Sequence, residues 1–365
     1  MLERIANWWA GPQSPVNLGV FRATMFATLF LFLNPLISAH FGPYPAILCF
    51  PPGVWKQWVD RFPVTTEAVW IVYAVFVPAS FLAVVGLWTR ASTIVATLTG
   101  TYLLSAPQFF GLITHYHHLV WFPLILSCSP CGDGFSLDAV RARARARRAG
   151  LPPPTRPWSG AYRLPLRCVV VLIAVAYFFP GLWKVVEGHF LDVENFRRLT
   201  WHKLAETQHQ PLLRVDHLDW FLWLSLVGTL VLELLFLPLV VRHRWTRRLV
   251  MMMGVGFHLF VYLTVGIRMF WTLAASYSAL IDWEGLGRRV MGARAAPAGE
   301  PIASRLPRRS MAPAAIVGFG LIFANIYEGI AKRQDWPLGC YPRYDLRYTG
   351  DDRGFLDHLE MRGTL

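Results

Sequence analysis

Nine stretches of the chain are apolar over about the 20 residues that an α-helix needs to cross the hydrocarbon core of a bilayer. Only 16% of the 365 residues are charged, which disfavours a water-soluble fold. We therefore expect an all-α, polytopic integral membrane helical bundle with about nine transmembrane helices. The predicted spans lie near 17–38, 65–87, 91–112, 115–131, 167–186, 217–241, 247–265, 267–282 and 311–331.

Arginine-rich connections predict how the chain crosses the membrane. They are the segments 139–167, 242–248 and 284–309 and the turn at residues 88–90. With the N-terminus in the cytoplasm, all four fall on the cytoplasmic side, as the positive-inside rule requires. We expect a multi-pass protein of the cell membrane with its C-terminus outside. Its transmembrane domain covers 1–332, and a short extracytoplasmic tail follows over 333–365.

A formal net charge of +13 raises the question of a nucleic-acid partner. In the densest basic run the arginines lie about two residues apart, so they cannot share one face of a helix. They are Arg141, Arg143, Arg145, Arg147 and Arg148. We predict that this run faces water or lipid headgroups, so that membrane lipid is a partner and nucleic acid is not.

The stretch from Thr114 to Val140 combines three histidines with a C-x-x-C pair. On a helix, His117 and Cys128 lie about 16 Å apart, which places the histidines near the outer surface and the thiols near the inner one. A closed zinc site needs four ligands. We therefore predict one spanning helix and no metal site, with Cys128 and Cys131 as small buried residues at the helix end.

Two cysteines, Cys49 and Cys340, fall in the predicted outward segments, and the other three do not. A disulfide between them is our hypothesis, because disulfides form in oxidising compartments. It would tie the first outer loop to the tail.

Ionisable residues inside predicted spans are costly and therefore point to function. Arg22 lies near an inner end and is expected to snorkel. The candidate partner of Glu233 is His258 or an arginine. Glu233 and His258 could equally serve in hydrogen bonds between helices. Lys184 lies at an outer end, where apolar surroundings favour the neutral amine, which is a base. With nearby histidines, such an amine has the chemistry to remove a proton from a weak acid.

Three patches resemble the horizontally transferred transmembrane domain family, to which the vitamin K-dependent γ-carboxylase belongs. They are the His-rich start of the fourth span with FSLDA, then YFFPGLWK, and then FHLFVYLTVGIRMF. The patches come in the family's order and together extend over roughly residues 15 to 330.

The resemblance implies roles for individual residues. Lys184 stands at the family's catalytic lysine, which deprotonates a reduced naphthoquinone of the vitamin K type so that it reacts with O2. The base so formed removes a proton from a glutamate side chain of a peptide or protein substrate, to which CO2 adds. His115 or His117 matches one further family histidine, and His258 matches another. The predicted cofactor pocket includes Glu233, Trp183 and Tyr262.

Departures from the family leave alternatives open. Only residues 333–365 follow the last span, whereas the carboxylase has a large lumenal region that recognises its protein substrate. Arg268 replaces a glycine, and Trp183 replaces a second lysine. The chain is therefore interpreted either as a quinone-dependent enzyme or as a non-enzymatic membrane factor that binds lipid or peptide; transport is less favoured. Residues 187–216 are predicted to form a lid or an interfacial helix.

Overall fold

The chain is described by a computed structural model over residues 2–51, 63–110, 116–154, 157–188, 190–207, 210–266, 269–291, 311–331 and 336–337. Throughout these ranges the regular structure is helical, and none of them contains a β-strand. Cys340, His115 and Arg268 lie outside the described residues, so the Cys49–Cys340 disulfide stays a prediction.

The helices of these ranges, in chain order, are α1 (Leu2–Ala10), α2 (Pro15–Phe32), α3 (Pro35–His40), α4 (Thr66–Val85), α5 (Thr89–Phe109), α6 (His118–Ser127), α7 (Leu137–Arg148), α8 (Gly160–Glu187), α9 (Val193–Thr207), α10 (Asp219–Arg242), α11 (Arg244–Val265), α12 (Met269–Ser276), α13 (Trp283–Met291) and α14 (Ala312–Ala331). A 3₁₀ turn at Tyr277–Leu280 follows α12.

Six helices of the described chain are long and apolar enough to cross a membrane, namely α2, α4, α8, α10, α11 and α14. The protein is therefore an all-α, multi-pass membrane protein. Short polar residues cap the beginnings of three of these helices. Ser14, Thr65 and Ser159 accept hydrogen bonds from the first backbone amides of α2, α4 and α8, and Gly86 ends α4 with a φ of 71°.

The other three predicted spans form helices that do not meet those criteria. α6 has only ten residues, so its helix covers only part of the predicted span 115–131. The helix ends at Ser127, and Cys128 to Cys131 form the turn that follows it. α12 is short and passes into a 3₁₀ turn.

α5 is long enough, with 21 residues, but rich in threonine and serine. Its hydroxyls are satisfied within the helix: Thr93 donates to the carbonyl of Thr89, and Thr97 to that of Thr93, both at 2.7 Å. Because the hydroxyls return to the helix's own backbone, one face of α5 packs into the bundle in spite of its polar sequence.

Contacts between helix termini define the two ends of the bundle. At one end, Gln13 and Ser159 exchange backbone hydrogen bonds at 3.0 and 3.2 Å, and Tyr162 donates to Asp133 at 2.8 Å. At the other, Ser38 donates to the carbonyl of Leu103 at 2.6 Å. The first is called the basic end, since it also carries α7 and α13 with their arginines; the second is called the far end.

A buried arginine ties the basic end together. The Arg22 guanidinium is fully buried and donates to the carbonyls of Cys131 at 3.0 Å, Val84 at 3.3 Å and Phe135 at 2.7 Å. Gly86 lies directly against it, and a side chain there would collide with the guanidinium. The expectation that Arg22 snorkels is therefore wrong: the cation points inward, where three carbonyls need a donor.

We predict that Arg22→Met destabilises the protein by an amount on the order of 3 kcal/mol, because three carbonyls at the packed helix ends lose a charged donor. Thermal unfolding in detergent measures the loss, and faster alkylation of the buried Cys131 locates it at the basic end. Arg141→Met, on the exposed surface of α7, is the matched control and should unfold like the wild type. Equal unfolding temperatures for the two variants would contradict the prediction.

Candidate active site

Two polar clusters lie along the contact between α8 and α10. The helices approach closely at Gly181, where an added Cβ would collide with the Cβ of Glu233. A residue without a side chain at that point lets the two backbones come together. As a result, charged and polar groups from different parts of the chain meet inside an apolar bundle.

The first cluster is the Lys184–Glu233 pair near the far end. Lys184 Nζ donates to Glu233 Oε1 at 2.6 Å, and the two side chains are only 7% and 8% exposed. The ring of Phe190 lies over Nζ at 4.5 Å. Burial makes such a pair necessary, since either charge alone would be expensive in apolar surroundings.

Glu233 therefore pairs with Lys184, and neither His258 nor an arginine takes this place. The second carboxylate oxygen, Oε2, is buried and accepts no hydrogen bond from the described residues. Since a carboxylate oxygen accepts hydrogen bonds readily, Oε2 is the atom of this pair that can receive a donor from a bound molecule.

The second cluster centres on Tyr177, two helical turns before Lys184 on the same face of α8. Its hydroxyl lies 2.5 Å from His258 Nε2 and 2.6 Å from the hydroxyl of Tyr277. The ring of Phe236, one turn after Glu233 on α10, stacks on the Tyr177 ring at 4.7 Å. Tyr177 also lies close enough to Glu233 for an electrostatic interaction, which links the two clusters.

The histidines ahead of α6 take separate places. His118 Nε2 and the hydroxyl of Thr272 are 2.8 Å apart, and His118 lies close enough to His258 to interact with it electrostatically. His117 is buried, with ring centroids 5.7 Å from Trp121 and 6.4 Å from Trp336. The choice between His115 and His117 stays open, since His115 lies outside the described residues.

The two aromatic residues predicted for the cofactor pocket have structural contacts. Trp183 Nε1 donates to the carbonyl of Gly329 at 2.8 Å and so joins α8 to α14. Tyr262 is half-buried near the end of α11, and its carbonyl accepts the amide of Gly266 at 2.9 Å.

Sequence reasoning missed three buried polar residues, Tyr177, Tyr277 and Glu328, as members of the site or its surroundings. Tyr177 had a signal, because it opens the YFFPGLWK patch and shares a helical face with Lys184. Tyr277 had none, since only the folded chain brings it to Tyr177. Glu328 precedes Gly329, to which Trp183 donates.

The described residues 190–207 and 210–218, called the cover segment, follow the end of α8, and Phe190 at their start lies over Lys184 Nζ. It contains α9, and the lid or interfacial position predicted for residues 187–216 stays a prediction. Asp216 holds it together: Arg214 donates twice to its carboxylate at 2.8 Å, and Trp201 Nε1 donates once at 2.8 Å. Within the described part of the chain, no group of three or more His, Cys, Asp or Glu residues could hold a metal ion.

A cavity of about 520 Å³ opens at the basic end, between the start of α5, the turn after α6 and α7. Lys184 is not among its lining residues. The cavity and the Lys184–Glu233 pair are therefore separate features.

Comparison with known proteins brings no relative: no family model, no curated protein and no solved structure matches the chain. The resemblance to the γ-carboxylase family therefore stays a prediction from three short patches.

The cover segment should loosen in acid. The Arg214 guanidinium and the Trp201 indole hold the pKa of Asp216 well below its ordinary value. A depressed pKa gives stability that is present above about pH 4, the ordinary value for Asp, and is lost as the pH falls further. We predict that Asp216→Asn lowers the unfolding temperature by a constant amount from pH 5 to 8, and that this difference shrinks below about pH 4. Glu3→Gln, on exposed α1, should show no such trend.

A double-mutant cycle tests the energetics of the buried pair. Lys184→Met and Glu233→Leu should each destabilise the protein by about 3–5 kcal/mol, because each leaves one charge buried alone. The double variant should be more stable than the sum of the two losses implies, by about 1–3 kcal/mol. Thermal or denaturant unfolding in detergent provides the measurement.

The Arg288–Glu284 pair on α13, in which the arginine is exposed, is the control, and Arg288→Met should cost less than about 1 kcal/mol. Strict additivity of the two buried substitutions would show that Lys184 and Glu233 do not interact.

Proposed function

We propose that this protein is an integral membrane enzyme in which Lys184 removes a proton from an apolar weak acid, a reduced naphthoquinone of the vitamin K type. The observation that carries the proposal is the Lys184–Glu233 pair, buried near the far end with Nζ and Oε1 2.6 Å apart. Base chemistry in a dry site needs an amine that can become neutral, and this arrangement provides one.

The pair permits that step without isolating a charge. When the proton moves from Nζ to Oε1, an ion pair becomes an amine and a carboxylic acid, and the net charge of the pair stays zero. The hydroxyl of the bound quinol donates to the remaining oxygen, Glu233 Oε2. Its proton moves onto Oε2 as the proton on Oε1 returns to the neutral amine of Lys184, which leaves a quinolate, a carboxylic acid and an ammonium group. Low polarity around the site favours such transfers between neighbours over separated charges.

Tyr177 and His258 support the same proposal, because they extend the polar contacts away from the pair. The hydroxyl of Tyr177 is shared with His258 and Tyr277, and its ring lies beside α10. In the proposed reaction, these groups take part in carrying a proton away from the carboxyl group. By the family resemblance, the quinolate then reacts with O2, and the resulting base serves carboxylation with CO2 on a peptide or protein. No metal takes part in the proposed reaction.

We also propose nine membrane crossings, with the basic end and the N-terminus in the cytoplasm and the C-terminus outside. The arginines of α7 and α13 support this orientation. From Tyr162 at the basic end to Lys184, α8 rises roughly 33 Å, about the thickness of the hydrocarbon core. In this orientation Lys184 acts at the extracytoplasmic face of the cell membrane.

One observation favours a second function. The Lys184 amine is already paired and covered by Phe190, and Trp183 is bonded to α14. Such contacts also suit a non-enzymatic membrane factor that binds lipid or peptide during export or maturation, with the polar groups serving to hold the helices together.

The two functions differ in one measurement. Purified protein in lipid nanodiscs, given a reduced naphthoquinone and O2, should form the quinone epoxide, detected by mass spectrometry. Lys184→Met should abolish the product, and so should the double variant Lys184→Met/Glu233→Leu, in which no buried charge is left alone. Arg288→Met controls for the preparation of a variant protein and should retain the wild-type rate of epoxide formation.

Absence of epoxide from the wild type with several quinones would refute the enzymatic proposal and favour the second function. Loss of product in the single variant but not in the double variant would show that the lysine supports folding and not chemistry.

A further inference from the structure

The cavity at the basic end has polar and charged walls. Its lining residues are Thr89, Arg90, Cys128, Ser129, Pro130, Cys131, Gly132, Asp133, Asp138, Ala139, Ala142, Arg143, Pro154 and Pro313. A volume of about 520 Å³ is in the range of small-molecule sites. No step of the proposed function uses this cavity.

The acidic residues of the cavity are engaged within its wall. Asp138 accepts hydrogen bonds from the amides of Trp88 and Thr89 and from the Thr89 hydroxyl, at 3.0, 2.7 and 2.7 Å. Asp133 accepts the hydroxyl of Tyr162 at 2.8 Å. Amide donors hold the pKa of Asp138 below its ordinary value although burial acts to raise it. Both carboxylates are therefore occupied by the fold.

The two arginine side chains that line the cavity are not engaged within its wall. Arg90 and Arg143 are exposed at the cavity, and among the described residues neither guanidinium makes a hydrogen bond or an ion pair. Arg22 adds a third positive charge directly behind the wall, through its bond to the Cys131 carbonyl. Two free guanidinium groups at one cavity are suited to bind the oxygens of a phosphate group.

Exposed apolar side chains around the cavity place it at the membrane surface. Trp88, Phe135 and Val140 are 66%, 60% and 54% exposed, and each belongs to a segment that lines or borders the cavity. In a membrane protein such residues lie among lipid, with tryptophan preferring the headgroup level. Arg90 and Arg143 are then at the height of the lipid phosphates.

We propose that this cavity is a binding site for the phosphate-bearing headgroup of an anionic phospholipid, held by Arg90 and Arg143. The acyl chains of the lipid lie along the exposed apolar side chains beside the cavity mouth. The proposal is independent of the chemistry at Lys184.

Cys128 lines the cavity and is half-buried, so its alkylation reports occupancy directly. The full chain in neutral detergent is treated with a small maleimide while short-chain phosphatidylglycerol is titrated, and each cysteine is followed by peptide mass spectrometry. We expect phosphatidylglycerol to slow Cys128 alkylation several-fold and phosphatidylcholine of equal chain length to leave it unchanged. Cys168, buried in α8, checks that the fold is intact.

Charge-matched variants separate the site from the general basic surface. Arg90→Gln with Arg143→Gln should lose the protection. Arg145→Gln with Arg148→Gln, which removes the same charge from arginines of α7 outside the cavity lining, should keep it.

Equal protection by phosphatidylcholine, or equal loss of protection in both double variants, would overturn the proposal. Protection by millimolar inorganic phosphate alone would also overturn the lipid assignment and indicate a soluble phosphate compound. If the cavity double variant exposes Cys168, the single variants Arg90→Gln and Arg143→Gln replace it, and each should raise the lipid concentration needed for protection.

Discussion

The basic end of the structure depends on one buried cation that has carbonyl groups as its direct partners. Arg22 donates to backbone oxygens from the end of α4, from the last residue of the turn after α6 and from Phe135 beyond that turn. Carbonyl groups at a helix end or in a loop cannot stay unpaired at membrane depth. A guanidinium suits them because its donors point in fixed, divergent directions. The order of this end, including one wall of its cavity, therefore follows from a side chain on α2.

α8 relates this end to the other one. Tyr162 on its first turns holds Asp133 beside the cavity, Tyr177 forms the centre of the second polar cluster, and Lys184 pairs with Glu233 near its end. The helix is long enough to carry these groups from one surface of the hydrocarbon core to the other. Polar contacts thus occur at three heights along a single apolar helix, and each height brings in a different part of the chain.

The sequence predicted more of the fold than of the site. Apolar runs located α2, α4, α8, α10, α11 and α14 because burial in lipid demands continuous apolar length. The same criterion misjudged α6, since hydropathy does not register the turn at Cys128 to Cys131. The cost of burying charge singled out Lys184, Glu233 and His258 individually, but their partners are distant in sequence. His258 meets Tyr177 and Lys184 meets Glu233 only through the packing of α8 against α10 and α11, which local patterns do not encode.

The pairing of Lys184 changes how a base at this position works. A lone buried lysine is neutral and can accept a proton at once. A lysine 2.6 Å from a carboxylate keeps its proton until that proton moves to Glu233. A donor that binds Oε2 stabilises the charged carboxylate and therefore favours the form in which Lys184 keeps its proton. Ligand binding and the availability of the neutral amine are therefore coupled through Glu233. Under the proposed function, the carboxylate both orients the ligand hydroxyl and determines when Lys184 can deprotonate it.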